Sequence, residues 1–204
     1  MKGMPPGLPG QRYAVRLPRG KEASLAFAAR SGTPAILYSS PMKTVVRTLL
    51  YLSLITWLGA EIFFPIVAAI TFMTLQPDTH TAGAIVGHLL HILHGMGLVS
   101  GMVATALLAL ASGWGIYRGR TAIPPMALLI AMIGLTLYSQ FGVVPAMERD
   151  RIAAGGRIDA AAFDNPSRIH FEILHNRSEH VEEAVLLLGL AAVALVASAE
   201  SARP

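Results

Sequence analysis

The 204-residue chain contains no cysteine, which excludes disulfides, thiolate metal sites and cysteine nucleophiles. Charge is scarce as well. Asp, Glu, Lys and Arg make up 14% of the residues, against roughly 25% in soluble globular domains. So few charges cannot cover a surface that faces water on all sides. The sequence also lacks a glycine loop that would cradle phosphate, and no nucleophile, base and orienting residue fall into a recognisable pattern. Soluble-type hydrolases and nucleotide enzymes are therefore not expected, and the reading leans away from an enzyme. The formal net charge of +4 comes from Lys and Arg at segment ends, not from one basic patch. Nucleic acid is accordingly not an expected partner.

What the chain does have is apolar length: 53% of it is hydrophobic and the mean hydropathy is +0.54. Four apolar runs cover residues 45–75, 82–115, 122–147 and 181–199. Each reaches the ~20 residues needed to cross a bilayer as a helix. Helix is the only open-ended choice there, because unpaired backbone groups are not tolerated in lipid. The expected fold class is all-α, an integral membrane four-helix bundle. Asn165-Pro166 reads as an N-cap followed by proline at the first helical position, and Gly155-Gly156 as a helix stop. Helices of about 33 residues, about 50 Å long at 1.5 Å per residue, exceed a ~30 Å hydrocarbon core. They are expected to extend beyond the bilayer on the outer side. Pro65 should kink the first helix, since it cannot bond the carbonyl of Glu61.

Residues 1–41 differ in character, with six prolines and six basic residues. They read as a basic, disordered N-terminal extension. An alternative places the true start at Met42-Lys43, directly before the first apolar helix. Residues 42–204 form the transmembrane domain. Lys43, Arg47, Arg118, Arg120 and Arg203 flank one set of helix ends, whereas the 76–81 loop has no Lys or Arg. The positive-inside rule then gives a multi-pass protein of the plasma (inner) membrane with both termini cytoplasmic. Five arginines in 148–180 pull against that orientation.

Polar residues within the runs carry the functional reading. Measured from the cytoplasmic helix ends at 1.5 Å per residue, Glu61 lies about 21 Å up, Gln140 about 26 Å, Glu182 about 27 Å, Glu179 about 32 Å and His94 about 35 Å, with His91 and His175 slightly higher. With Glu148 of the third run at about 38 Å, the ionisable groups of four separate helices thus fall in the outer half or just beyond it. On the last helix Glu172, His175, Glu179 and Glu182 form one stripe, and on the second His88, His91 and His94 recur every third residue. Ionisable residues in membrane helices suggest function by default. Glu61, Gln140 and Glu182 are the expected intramembrane polar residues. His91, His94, His175 and Glu179 are candidate metal ligands, a donor set that suits a divalent metal, or haem with axial histidines. A small ligand or ion is the other candidate partner besides the lipid bilayer, and a homo-oligomer is possible. Three functions stay open: binding or transport of a small ligand or ion, metal- or haem-dependent redox chemistry, and a structural or assembly role.

Three stretches also carry a resemblance. Trp57-Leu58-Gly59 opens a helix holding Phe63, Phe64 and Phe72. Pro145-Ala146-Met147-Glu148 follows the third run. Phe171-Glu172-Ile173-Leu174-His175-Asn176-Arg177-Ser178 leads into the last. Together they resemble the transmembrane-protein-205-like domain family, known in bacteria as the domain of unknown function DUF4149. The likeness covers roughly residues 45–197, with the pattern met at Trp57, Gly59, Pro145, Glu148, Phe171, His175 and Ser178. It implies a four-helix membrane protein and brings no established activity or ligand. The histidine row lies outside the pattern.

Overall fold

The computed structural model describes residues 41–117 and 119–201. The expected extension, apart from Pro41, lies outside the described residues, as do Arg118 and Arg203. Among the described residues, four helices make up the fold. Helix α1 is Pro41–Thr74 and α2 is Thr79–Gly113. Helix α3 begins as Gly119–Tyr138, passes through a π turn at Ser139–Val143 and ends as Val144–Ala153. Helix α4 is Pro166–Ser201. All four are long and apolar enough to cross a membrane. Their 34 to 36 residues exceed the ~20 that a bilayer requires.

The helix ends follow local chemistry. Asp78 caps α2, its carboxylate accepting from the Thr81 N–H at 3.1 Å and from the Thr81 hydroxyl at 2.6 Å. Asn165 caps α4, accepting from the Ser167 N–H at 2.9 Å. Gly155 and Gly156 stop α3 with φ of 87° and 90°, a region that side chains with a Cβ avoid. Pro65 sits within an unbroken α1.

The helices alternate in direction and close a ring: α1 packs on α2, α2 on α3, α3 on α4, and α4 back on α1. One end of the bundle carries the 75–78 turn and the 154–165 connection (the hairpin end). The other carries residue 41, the 114–117 turn and residue 201 (the terminal end). Bulky side chains such as Ile55, Phe63, Val99, Ile130, Phe141 and Leu187 are exposed around the outside. That suits lipid and not water. The interior toward the terminal end is filled by Leu50, Leu54, Leu108, Leu129, Met132, Val185 and Val196, all at 1% exposure or less. Toward the hairpin end packing thins, and Val144–Ala153 buries none of its residues.

Small residues set the close approaches, as membrane helix interfaces require. The Trp57 indole from α1 lies over Gly97 and Gly101 of α2. A Cβ at Gly97 would come within 2.6 Å of the indole nitrogen, and one at Gly101 would collide with the ring. Gly189 of α4 makes room in the same way for Leu58 and Met132.

Two predictions follow from this packing. Gly101→Ala should lower stability by about 1–3 kcal/mol through overpacking, whereas Gly59→Ala, where a Cβ meets open space, should change it by less than about 0.5 kcal/mol; thermal denaturation in detergent compares the two. The second concerns Asp159, which binds Arg157 at 2.9 Å and the Thr79 hydroxyl at 3.2 Å, tying the 154–165 connection to the start of α2. Arg157 holds this carboxyl down at about 2, below the usual ~3.9. A depressed folded-state value means the tie is fully present above the ordinary value and is lost as pH falls through the folded one. Protection against hydrogen exchange in 154–165, taken relative to the intrinsic rate at each pH, should therefore fall between about pH 4 and 2, and an Asp159→Asn variant should lose that acid transition.

Candidate functional site

Near the middle of the bundle each helix turns a polar side chain inward. Glu61, His94, Gln140 and Glu182 each lie within about four residues, ~6 Å, of the midpoint of their helix. All four are displaced toward the hairpin end. His94 is 1% exposed, Glu61 4% and Gln140 9%.

His94 is the centre. Its Nδ1 lies 2.7 Å from Gln140 Oε1 and its Nε2 lies 2.8 Å from Glu182 Oε1. An amide oxygen only accepts, so His94 Nδ1 carries a hydrogen and donates it. The Gln140 amide nitrogen donates in turn to His91 Nδ1 at 2.6 Å. The Ser139 hydroxyl donates to Glu182 Oε1 at 3.0 Å. Glu182 Oε2 is buried and has no hydrogen-bond partner among the described residues. On α1 the Trp57 indole N–H donates to Glu61 Oε1 at 3.0 Å, so the ring seated on Gly97 and Gly101 also orients a buried carboxyl. Glu61 lies within electrostatic range of both Glu182 and His94.

The π turn explains how two consecutive α3 residues serve one site. Neighbours on an α-helix point about 100° apart, yet Ser139 and Gln140 are both buried and both bonded into the cluster. A π turn adds a residue to the turn, and such bulges recur at functional sites.

The candidate residues from the sequence divide cleanly. Glu61, His94, Gln140 and Glu182 are inside, and His91 joins them from the bundle surface. His175 and Glu179 lie on the outside of α4, at 52% and 63% side-chain exposure, paired with each other at 3.3 Å. His175 also stacks on Phe171, ring centroids 6.3 Å apart. His88 bonds the Ala84 carbonyl at 3.2 Å. Among the described residues no group of three His, Asp or Glu side chains is arranged to hold a metal ion. In particular, both ring nitrogens of His94 already face side-chain oxygens. Ser139 and the Trp57 donor are the members that sequence reasoning missed. A serine in an apolar run and a tryptophan four residues before a glutamate are weak signals by themselves.

A second polar group closes the terminal end. Glu200 accepts from the Tyr51 hydroxyl at 3.0 Å and the Tyr117 hydroxyl at 2.7 Å, with Arg47 at 3.4 Å. It ties α1, the 114–117 turn and α4 together.

A ring of four apolar helices around a buried hydrogen-bonded cluster defines a polytopic membrane protein. Residues 52–152 match the model of a family described as a domain of unknown function, DUF4149, and over that stretch the chain belongs to this family. The matched stretch contains Glu61, His91, His94, Ser139 and Gln140; Glu182 lies beyond it. No curated protein and no solved structure matches the chain.

The contrast between inside and outside is measurable. Gln140→Leu strands the buried His94 Nδ1–H and should cost about 1–3 kcal/mol. His175→Ala on the exposed face should change stability by less than about 0.5 kcal/mol. Denaturation of the purified proteins checks both, and equal effects would contradict the placement.

Proposed function

We propose that this protein binds a small ion within the bundle and takes part in its passage across the membrane, with Glu61, His94, Gln140 and Glu182 as the working centre. One observation carries the reading: a buried histidine held at both ring nitrogens by two other helices, beside a carboxylate whose second oxygen is buried without a partner. Ionisable groups inside membrane helices are costly and mark ion pathways and proton relays.

A purely structural role is the rival. Interhelical hydrogen bonds in membrane proteins contribute only about 0.6 kcal/mol each on average. A buried carboxyl, a second one at 14% side-chain exposure and a buried imidazole are an expensive way to gain so little. A metal- or haem-dependent role would draw on His91, His94, His175 and Glu179, but the last two sit on the outer face of α4 while His94 is fully engaged. The ion-binding reading uses the buried residues as they stand.

The test is electrical. Protein reconstituted in liposomes on a solid support is exposed to rapid jumps in proton, sodium or potassium concentration. At least one of these cations should produce a charge displacement that Glu61→Gln and Glu182→Gln reduce at least tenfold at equal protein density. No displacement with any of the three, or undiminished displacement in both variants, would refute the proposal.

A further inference from the structure

The cluster restricts what its ion is. Gln140 presents its oxygen to His94 Nδ1, so that nitrogen is a permanent donor and Nε2 is the only place on the ring where a proton can come or go. Across 2.8 Å stands Glu182 Oε1. One proton lies between them, and its position decides only whether the pair is imidazolium–carboxylate or imidazole–carboxylic acid. Both forms have no net charge. The balance of the site therefore rests on Glu61, 4% exposed and with a single donor, Trp57. With Glu61 protonated the three groups are neutral. With Glu61 ionised they carry one net negative charge inside the bundle, which a low-dielectric interior strongly disfavours.

Other groups do not rebalance this charge. Besides Glu61, α1 brings no titratable side chain to the cluster; α2 brings His94 and, at the surface, His91; α3 brings the non-titrating Ser139 and Gln140; α4 brings Glu182. Of the neighbouring α4 groups, His175 pairs with Glu179 and His180 with Glu183, all four at least half exposed on the outer face. Arg168 and Arg177 bond Glu172 and the Tyr138 hydroxyl, also at the exposed surface.

We propose that Glu61, His94 and Glu182 together form a site that takes up and releases one proton per molecule, with Glu182 as its port. This rests on the ion-binding reading above and names the ion. Loading forms one O–H bond on a carboxylate oxygen and breaks one in hydronium, leaving water; no electrons are transferred. Because the carboxyls are coupled, the proton belongs to the cluster and not to one residue. Glu182 is the port because its Oε2, itself buried, is without a partner among the described residues and the rest of its side chain keeps 14% exposure whereas the His94 side chain has none. The Leu50, Leu54, Leu108, Leu129, Met132 and Val185 packing closes the terminal side, so entry is from the hairpin half. Gln140 is a positioning residue. An amide passes a proton on only by becoming an imidic acid, so the His91–Gln140–His94 chain fixes the tautomer of His94 and does not conduct.

Two measurements on the reconstituted full chain test this. A pH-indicator dye counts protons taken up after an acid pulse, and infrared difference spectra follow the carbonyl stretch of protonated carboxylic acids between about pH 9 and 5, where buried carboxyls titrate. The wild type should take up one proton more than Glu61→Gln and show an acid carbonyl band that weakens in Glu61→Gln and Glu182→Gln; His91→Asn should lose neither. If the variants do not fold, the wild type alone decides: no titrating acid carbonyl band in that range overturns the proposal. A sodium- or potassium-driven charge displacement with no cluster-dependent proton uptake also overturns it, while leaving the ion-binding reading standing. Proton uptake without charge displacement supports the site and removes the transport role.

Discussion

A histidine buried at the middle of an apolar bundle must have both ring nitrogens satisfied, and that demand governs the arrangement around it. His94 meets it with Gln140 on one side and Glu182 on the other, which ties α2 to α3 and α4 at one level. A one-residue slip of any of these helices rotates its side chains by about 100° and would strand a donor or acceptor where no water replaces it. Polar groups of this kind fix register in helical assemblies. The apolar cluster on the terminal side, with Leu50, Leu54, Leu129 and Met132, carries no such preference.

Bringing α1 into the same register takes a different device. Its polar residue, Glu61, has no bond to another helix; its donor is Trp57 on the same helix. The indole is bulky, and it reaches the centre only because Gly97 and Gly101 leave a smooth surface for it. The glycines therefore serve the site as well as the packing. They let one side chain fill the gap between α1 and α2 while its N–H holds a carboxyl toward His94 and Glu182. On the opposite helix, Gly189 does for Leu58 what those two do for Trp57.

Much of this was legible in the sequence, for reasons that differ by element. Length and apolar content dictate four helices because lipid allows an open-ended chain no other choice. Asn165 and the Gly155-Gly156 pair mark ends because capping is local chemistry. Counting residues from helix ends places Glu61, His94, Gln140 and Glu182 in the same half of the bundle, though spread from about 21 to about 35 Å, because the rise per residue is fixed. Facing was less legible. Glu172, His175, Glu179 and Glu182 share one stripe of α4, yet only Glu182 reaches the buried cluster. The stripe is continuous but its surroundings are not: toward the hairpin end α3 buries none of its last ten residues, so the same face of α4 passes from interior to surface. The Glu200 clamp was illegible because Tyr51 and Tyr117 meet it across 149 and 83 residues with no spacing rule to link them. The π turn was illegible because nothing in Ser139-Gln140-Phe141-Gly142-Val143 departs from an ordinary helix except the result.

The two ends of the bundle differ in a way that bears on movement. At the terminal end, Glu200 gathers two tyrosines and an arginine from outside α4, above a layer of large apolar side chains with almost no exposure. At the hairpin end the polar ties are exposed or part-buried: Asp159 with Thr79 and His170 with Asp150 at the surface, and Arg168 with the Ala161 carbonyl and the face of Phe163. Exposed ion pairs contribute little and yield easily, whereas an interlocked apolar layer resists deformation. Separation of the helices therefore costs least where the cluster lies nearest the surface. On the proposed reading, an ion at His94, Glu61 and Glu182 would exchange with that side by local opening; reaching the other side would require breaking the Glu200 clamp and parting the leucines beneath it. A polar centre seated off the midpoint, with packed leucines on one side and looser polar contacts on the other, is the asymmetry that the proposed carrier role would need in any single resting state.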